Sequence, residues 1–284
     1  MNDPDNQERL AEWERIPTPD EMDDMLFAAS RPGLMLSKTR LPNDPGAVGS
    51  WLGGQPALPP EIDWPWYAPE GDPLVPMHFV AQIDLAQVPR MKGLPEIPRT
   101  GALFFFFDPI LAPVRGLGFG GARVIYVDQD VAGHPQREMP EIPGPLNQDE
   151  MSFWYTANPT RGYRRWNFTF LAFTGYRQDL YPNNAFQMAV AEANLDVKDD
   201  LIERTEDRRQ GAEPNRSQSF APHHMFGSTG RLEPNGALTR LLAVRGDSDL
   251  GLDYGNGDWI VFWVPDADLA TNNFDNVQIF EETQ

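Results

Sequence analysis

Twenty-eight prolines punctuate this 284-residue chain, about twice the usual share, and they crowd between Pro32 and Pro145. Each removes a backbone donor and disfavours helix at the residue before it. A segment so interrupted supports short strands joined by rigid loops. Asn43-Asp44-Pro45-Gly46 and Glu70-Gly71-Asp72-Pro73 read as turns. Between the breakers lie apolar runs at 79–84, 102–107 and 123–127. Further along come 168–173, 241–244 and 259–264. The runs at 102–107 and 259–264 are apolar at every position, which suits strands buried on both faces.

Two helices are also predicted. Thr18-Pro19-Asp20-Glu21 is a capping box with proline at the first helical position, followed by Met22, Met25, Leu26 and Ala29 at helical spacing. Asn183 or Asn184 caps a second, whose apolar side is Phe186, Val190, Ala193, Val197 and Leu201. Its charged continuation at 199–209 reads as a solvated face. Strand should exceed helix, so the expected class is a β-dominated α+β fold. Residues 1–30 form an N-terminal helical extension. Residues 31–284 form one globule of two related β-rich halves, about 31–145 and 165–284, with peripheral helices.

A chain of this length buries about three quarters of its unfolded surface. The 23 basic and 42 acidic residues leave a net charge of −19. That charge argues against nucleic acid and against anionic membrane surfaces, both of which need a basic face. The longest purely apolar runs, 102–107 and 259–264, are six residues each, too short to span a bilayer. The acidic start has no basic segment followed by an apolar one, so a cytoplasmic location is expected. There are no cysteines, which excludes disulfides, thiolate nucleophiles and Cys–zinc sites.

The two halves share an ordered set of features. Residues 79–84 form an apolar strand ending in Asp84; Gly101 then opens a Phe-rich strand that ends at Asp108-Pro109. Residues 242–247 end in Asp247; Gly257 then opens a Trp-rich strand that ends at Pro265-Asp266. Gly53-Gly54-Gln55-Pro56 precedes the first unit and Gly227 the second. This order reads as duplication of one β-rich unit, although two apolar strands resemble each other easily.

Several of these motifs together resemble the YwqG-like family, a bacterial domain of unknown function. They are Ser50-Trp51-Leu52-Gly53-Gly54-Gln55-Pro56, Asp63-Trp64-Pro65, Val80-Ala81-Gln82-Ile83-Asp84-Leu85 and Thr100-Gly101-Ala102-Leu103-Phe104-Phe105-Phe106. His223-His224-Met225-Phe226-Gly227, the aspartate-rich block at 241–259 and the closing segment at 268–277 continue the likeness, which covers residues 30 to 284. The resemblance implies a mostly β, internally duplicated fold and no particular activity. The family tends to carry Gln where this chain has Arg245, and Pro then Gln where it has Ser228-Thr229-Gly230-Arg231. A ligand site built from those amides would be altered here.

Candidate ligand-binding residues are Gly53, Gly54, Gln82, Asp84, His223, Arg245, Asp247, Asp249 and Asp258. Gly53-Gly54 could cradle an anion. It matches neither the P-loop nor the dinucleotide fingerprint, so a tight turn is the better reading. His223 and His224 diverge as sequence neighbours, and no His-Glu-x-x-His is present, so no metal is expected. Asp247, Asp249, Asp253 and Asp258 fall at positions 1, 3, 7 and 12 of a calcium-type loop. Leu252 stands where that loop needs Gly, so aspartates capping a turn fit better. Gln82 and Asp84, with Arg245 and Asp247 as their pseudo-equivalents, could meet in a cleft if the halves pack face to face. Otherwise they bond neighbouring loops. Trp64 should plug the sheet, with Trp66 and Tyr67 open as a stacking surface.

No Gly-x-Ser-x-Gly motif occurs, and no cofactor is expected. The sequence points to a non-catalytic binding or protein-interaction module whose partner presents a basic protein surface. The alternative is a hydrolase using carboxylates and His223 in a cleft between the halves.

Overall fold

The Phe-rich run is one strand, β6 (Ala102–Phe107), buried at all six positions with apolar clusters on both of its faces. The computed structural model that shows this describes residues 18, 20–21, 24, 30–38, 49–68, 74–108, 121–131, 133–141, 165–176, 223–228, 237–247, 250–252 and 259–282. Before β6 come β1 (Ser30–Lys38), β2 (Trp51–Leu52), β3 (Trp66–Tyr67), β4 (Val75–Pro76) and β5 (His78–Asp84). After it come β7 (Ala122–Val127), β8 (Trp166–Tyr176), β9 (His223–Phe226), β10 (Leu238–Arg245), β11 (Trp259–Pro265) and β12 (Gln278–Glu282). Ten of these make one sheet in the order β12-β11-β10-β9-β1-β8-β2-β5-β6-β7, and β3 pairs with β4 apart from it. Every pairing in the large sheet is antiparallel.

The fold is thus strongly β-dominated, and the large sheet is nearly closed. Phe105 of β6 meets Phe262 of β11 edge-on at 5.3 Å, joining strands from opposite arms. β7 also meets the segment that leads into β12. Tyr126 of β7 lies 5.8 Å from Phe274, and Arg123 donates to the Asp275 carbonyl at 3.4 Å. Inside sits one core containing Leu34, Leu36, Ile83, Phe105, Phe107, Leu242, Val244 and Phe262. Outside the first arm, Phe79, Phe104 and Phe106 pack under Trp64, Met77 and Leu58. Trp64 is the plug its motif suggested: it donates its indole N–H to the Met77 carbonyl at 2.9 Å and stands edge-on to Phe106.

Outward from the central β1·β8 pair, the two arms follow the same plan. One runs β9-β10-β11-β12 and the other β2-β5-β6-β7. The first strand of each half pairs with the second strand of the other: β1 with β9, and β8 with β2. The register slips once between Phe79 and Ala81 against β6, and once between Arg240 and Leu242 against β11. Pro32 is tolerated in a central strand because β9 reaches only to Gly33, leaving Pro32 paired on one side, with Thr174.

Helix is scarce. Asp20, Glu21 and Asp24 are helical, and the capping box forms: the Thr18 N–H and hydroxyl both donate to Glu21 Oε2, at 2.8 and 2.9 Å. A four-residue helix, Asp266–Leu269, follows β11. The helix predicted at 183–209 lies outside the described residues. Among the described residues, no helix is long and apolar enough to cross a membrane.

Candidate functional site

Strand direction decides which candidates can meet. Five antiparallel steps separate β5 from β10, so they run in opposite directions and end at opposite ends of the sheet. Gln82 and Asp84 therefore do not join Arg245 and Asp247 in one cleft. By the paired register slips, the position matching Gln82 is Ala243, and that matching Asp84 is Arg245.

At one end stand the C-terminus of β10, the N-terminus of β9 and the Gly53-Gly54 turn after β2. His223 is fully buried; its Nε2 lies 3.1 Å from Asp247 Oδ2, and its Nδ1 accepts the Arg245 backbone N–H at 3.3 Å. Since Nδ1 accepts, Nε2 carries the proton and donates it to the carboxylate. Burial lowers the His223 pKa, and the Asp247 carboxylate pulls partly the other way. Trp166 stands edge-on to the ring at 4.8 Å. In an acid–base triad, one ring nitrogen faces the carboxylate and the other faces a nucleophile. Here a backbone amide holds the second nitrogen. Asp247 also exchanges backbone hydrogen bonds with Leu252, at 2.7 and 3.1 Å, closing a tight loop. Asp249, Asp253 and Asp258 lie outside the described residues, as do Arg161 to Arg164.

Gly53 and Gly54 have φ of 63° and 69°, the left-handed turn their motif predicted. The turn is packed tight, since a Cβ on Gly54 would come within 2.8 Å of the Arg165 Cβ. Arg165 lies over the Trp51 ring at 4.0 Å and donates from Nε to Asn167 Oδ1.

Gln82 and Asp84 tie loops. Gln82 is fully buried; its Oε1 accepts the Ala57 N–H at 2.9 Å and its Nε2 donates to the Gly49 carbonyl at 3.0 Å. Asp84 Oδ1 accepts the Ala86 N–H at 3.0 Å, and the Asp84 N–H donates to Ser50 Oγ at 2.8 Å.

Beside Asp84, at the opposite end from His223, the 85–100 loop passes the Phe226-Gly227 turn. Three adjoining cavities of about 330, 310 and 480 Å³ surround its 93–97 stretch. Phe226 lines two of them, with φ of 56° in a side chain only 2% exposed. A bulky residue held in that region is a genuine outlier. None of the described candidate residues lines this trench. Its sequence signal was Arg90, Lys92 and Arg99 close together in an acidic chain. Among the described residues, no group of three or more His, Asp or Glu is placed to hold a metal ion.

The chain belongs to the family described as a domain of unknown function, DUF1963, whose sequence profile matches residues 50–280. No curated protein matches the chain.

Proposed function

We propose that the protein is a non-catalytic binding module of the cytoplasm, and that the chain is YwqG-like within its family. One observation carries the reading: Gln82, Asp84 and the His223–Asp247 pair are divided between two ends of the sheet, each engaged in bonds that hold loops. A hydrolytic centre needs its carboxylate and its base on one cleft, each within hydrogen-bond reach of the reacting atom. The expected macromolecular partner is a protein with a basic patch, drawn by the net charge of −19. Such a partner is captured better at low ionic strength than at high.

We also propose that β1 to β7 and β8 to β12 descend from one duplicated unit. The matching strand orders, the exchanged first strands and the two register slips support this.

Asp84→Asn and Asp247→Asn test the functional reading. Loop-holding carboxylates should each lose about 1 kcal/mol of stability when neutralised. Strained catalytic carboxylates should instead gain stability. Thermal melting of both variants separates the two, and a rise in both would favour the hydrolase.

A further inference from the structure

We propose that the trench beneath the 88–99 loop binds a small ligand bearing a phosphate or carboxylate, held by Arg90, Lys92 and Arg99. The inference is separate from the protein-partner reading and concerns a different surface. Its first support is charge. Five of the ten basic residues that the structure describes line the trench, against two of eighteen acidic ones, Glu96 and Asp266. In a chain of net charge −19, that is a local reversal of sign. Arg31 and Arg240 supply the two cations on the far wall.

The second support is rigidity. Pro89, Pro95 and Pro98 restrict the loop. Arg90 staples it, donating from Nη1 to the Ile97 carbonyl at 3.2 Å and from Nη2 to the Pro98 carbonyl at 2.8 Å. Gly93, at φ 87°, sits so close to Pro32 that a Cβ would lie 3.2 Å from the proline ring. Across the gap, Arg240 donates to the Gly227 carbonyl at 3.2 Å and lies over Trp263, fixing the strained Phe226-Gly227 turn. A frame set before binding spends little entropy on a ligand.

The third support is mutual repulsion. Partial desolvation lowers the Arg90 pKa, and the Arg99 charge lowers it further. An oxyanion between the two guanidinium groups would relieve that repulsion, and a planar guanidinium pairs well with carboxylate or phosphate oxygens. Cavities of 310 to 480 Å³ suit a small molecule.

Isothermal titration of the full chain tests this, with sodium phosphate and sodium succinate added separately at one fixed low ionic strength. Saturable binding of at least one anion is expected. Lys92→Glu combined with Arg99→Glu should weaken it at least tenfold at an unchanged melting temperature, since neither side chain staples the loop. Glu96→Gln should tighten it severalfold. Phosphate binding alone assigns a phosphorylated ligand, and succinate binding alone a carboxylate. If neither anion saturates, or if the double variant binds as the parent does, the proposal is overturned.

Discussion

β2 leads into Gly53 and Gly54, with φ of 63° and 69°; at the matching place β9 closes on Phe226 and leads into Gly227, with φ of 56° and 68°. The backbone is the same and the side chains are not. Glycine takes this conformation without steric cost, whereas a residue with a Cβ gives up about 1–2 kcal/mol. The outer faces differ in the same sense. By register, Phe79 and Phe106 of the first arm correspond to Arg240 and Trp263 of the second. The first arm hides its outer face under loops and the Trp64 plug. The second lays guanidinium groups on two indoles, with Arg240 4.6 Å above Trp263 and Arg245 5.2 Å above Trp259; in the first arm Trp51 is covered the same way, by Arg165. One backbone plan thus carries a largely apolar, loop-covered arm and a strained one with a cation at Phe79's matching place. The strained turn faces the basic 85–100 loop because β5 and β9 run the same way.

The comparison holds only if the arms share a core, and Phe105→Ala tests that most severely. Phe105 and Phe262 are fully buried against each other. Each truncation should cost about 3–5 kcal/mol, with about 0.5–1.5 kcal/mol of coupling in the double variant. Both arms should melt in one transition. If Phe262→Ala left amide exchange in β5 and β6 untouched, the arms would be independent units.

Much of this sheet was legible. The 102–107 strand was read to the residue, and 259–264 fell one short of β11, because a continuous apolar run leaves no other place to go. β1 escaped notice because Pro32-Gly33 reads as punctuation, and its partners Phe173 and Phe226 lie far away in sequence. β9 is four residues long with two histidines, too short for a periodicity. The described candidate residues do not gather in one cleft, for a geometric reason. A polar residue in an apolar strand marks a loop tie as readily as a catalytic group, and Gln82 is such a tie. β5 and β10 also lie five antiparallel steps apart and end at opposite ends of the sheet, which no linear comparison of the halves displays. The trench joins residues 88–99 to the turn at 226–227, so only its cations were visible in advance.

The arms also differ in their response to pH. His78 of the first arm is matched by Thr239 of the second. Burial lowers the His78 pKa from 6.5 to about 4. The folded state therefore prefers the neutral ring. Above pH 6.5 there is no penalty; as pH falls from 6.5 towards 4, the unfolded chain takes up a proton that the folded one refuses, and stability is lost. The full loss is about 3 kcal/mol. The buried His223 adds to it in the same direction. Denaturant melts between pH 7 and 4.5 should show the decline, and His78→Thr should flatten it even if it lowers stability at pH 7. An unchanged slope in the variant would assign the acid sensitivity elsewhere.

The smallest expected effect bears most directly on the two turns. Gly54→Ala puts a Cβ at φ 69°, 2.8 Å from the Arg165 Cβ. The backbone conformation costs about 1–2 kcal/mol, and the close approach adds to it unless β8 yields. The Arg165 backbone can shift to make room, at the expense of the side chain's stacking on Trp51 and its bond to Asn167. A total near 2 kcal/mol is expected, with a change in tryptophan fluorescence as the guanidinium leaves the Trp51 ring. Arg165→Gly combined with Gly54→Ala removes the Cβ that resists but leaves the φ cost. The double variant should therefore cost less than the two single losses added together. Strict additivity would mean that the turn's intolerance is purely conformational. In that case Phe226 would be an ordinary accommodation of the same backbone, and the contrast between the arms would rest on charge alone.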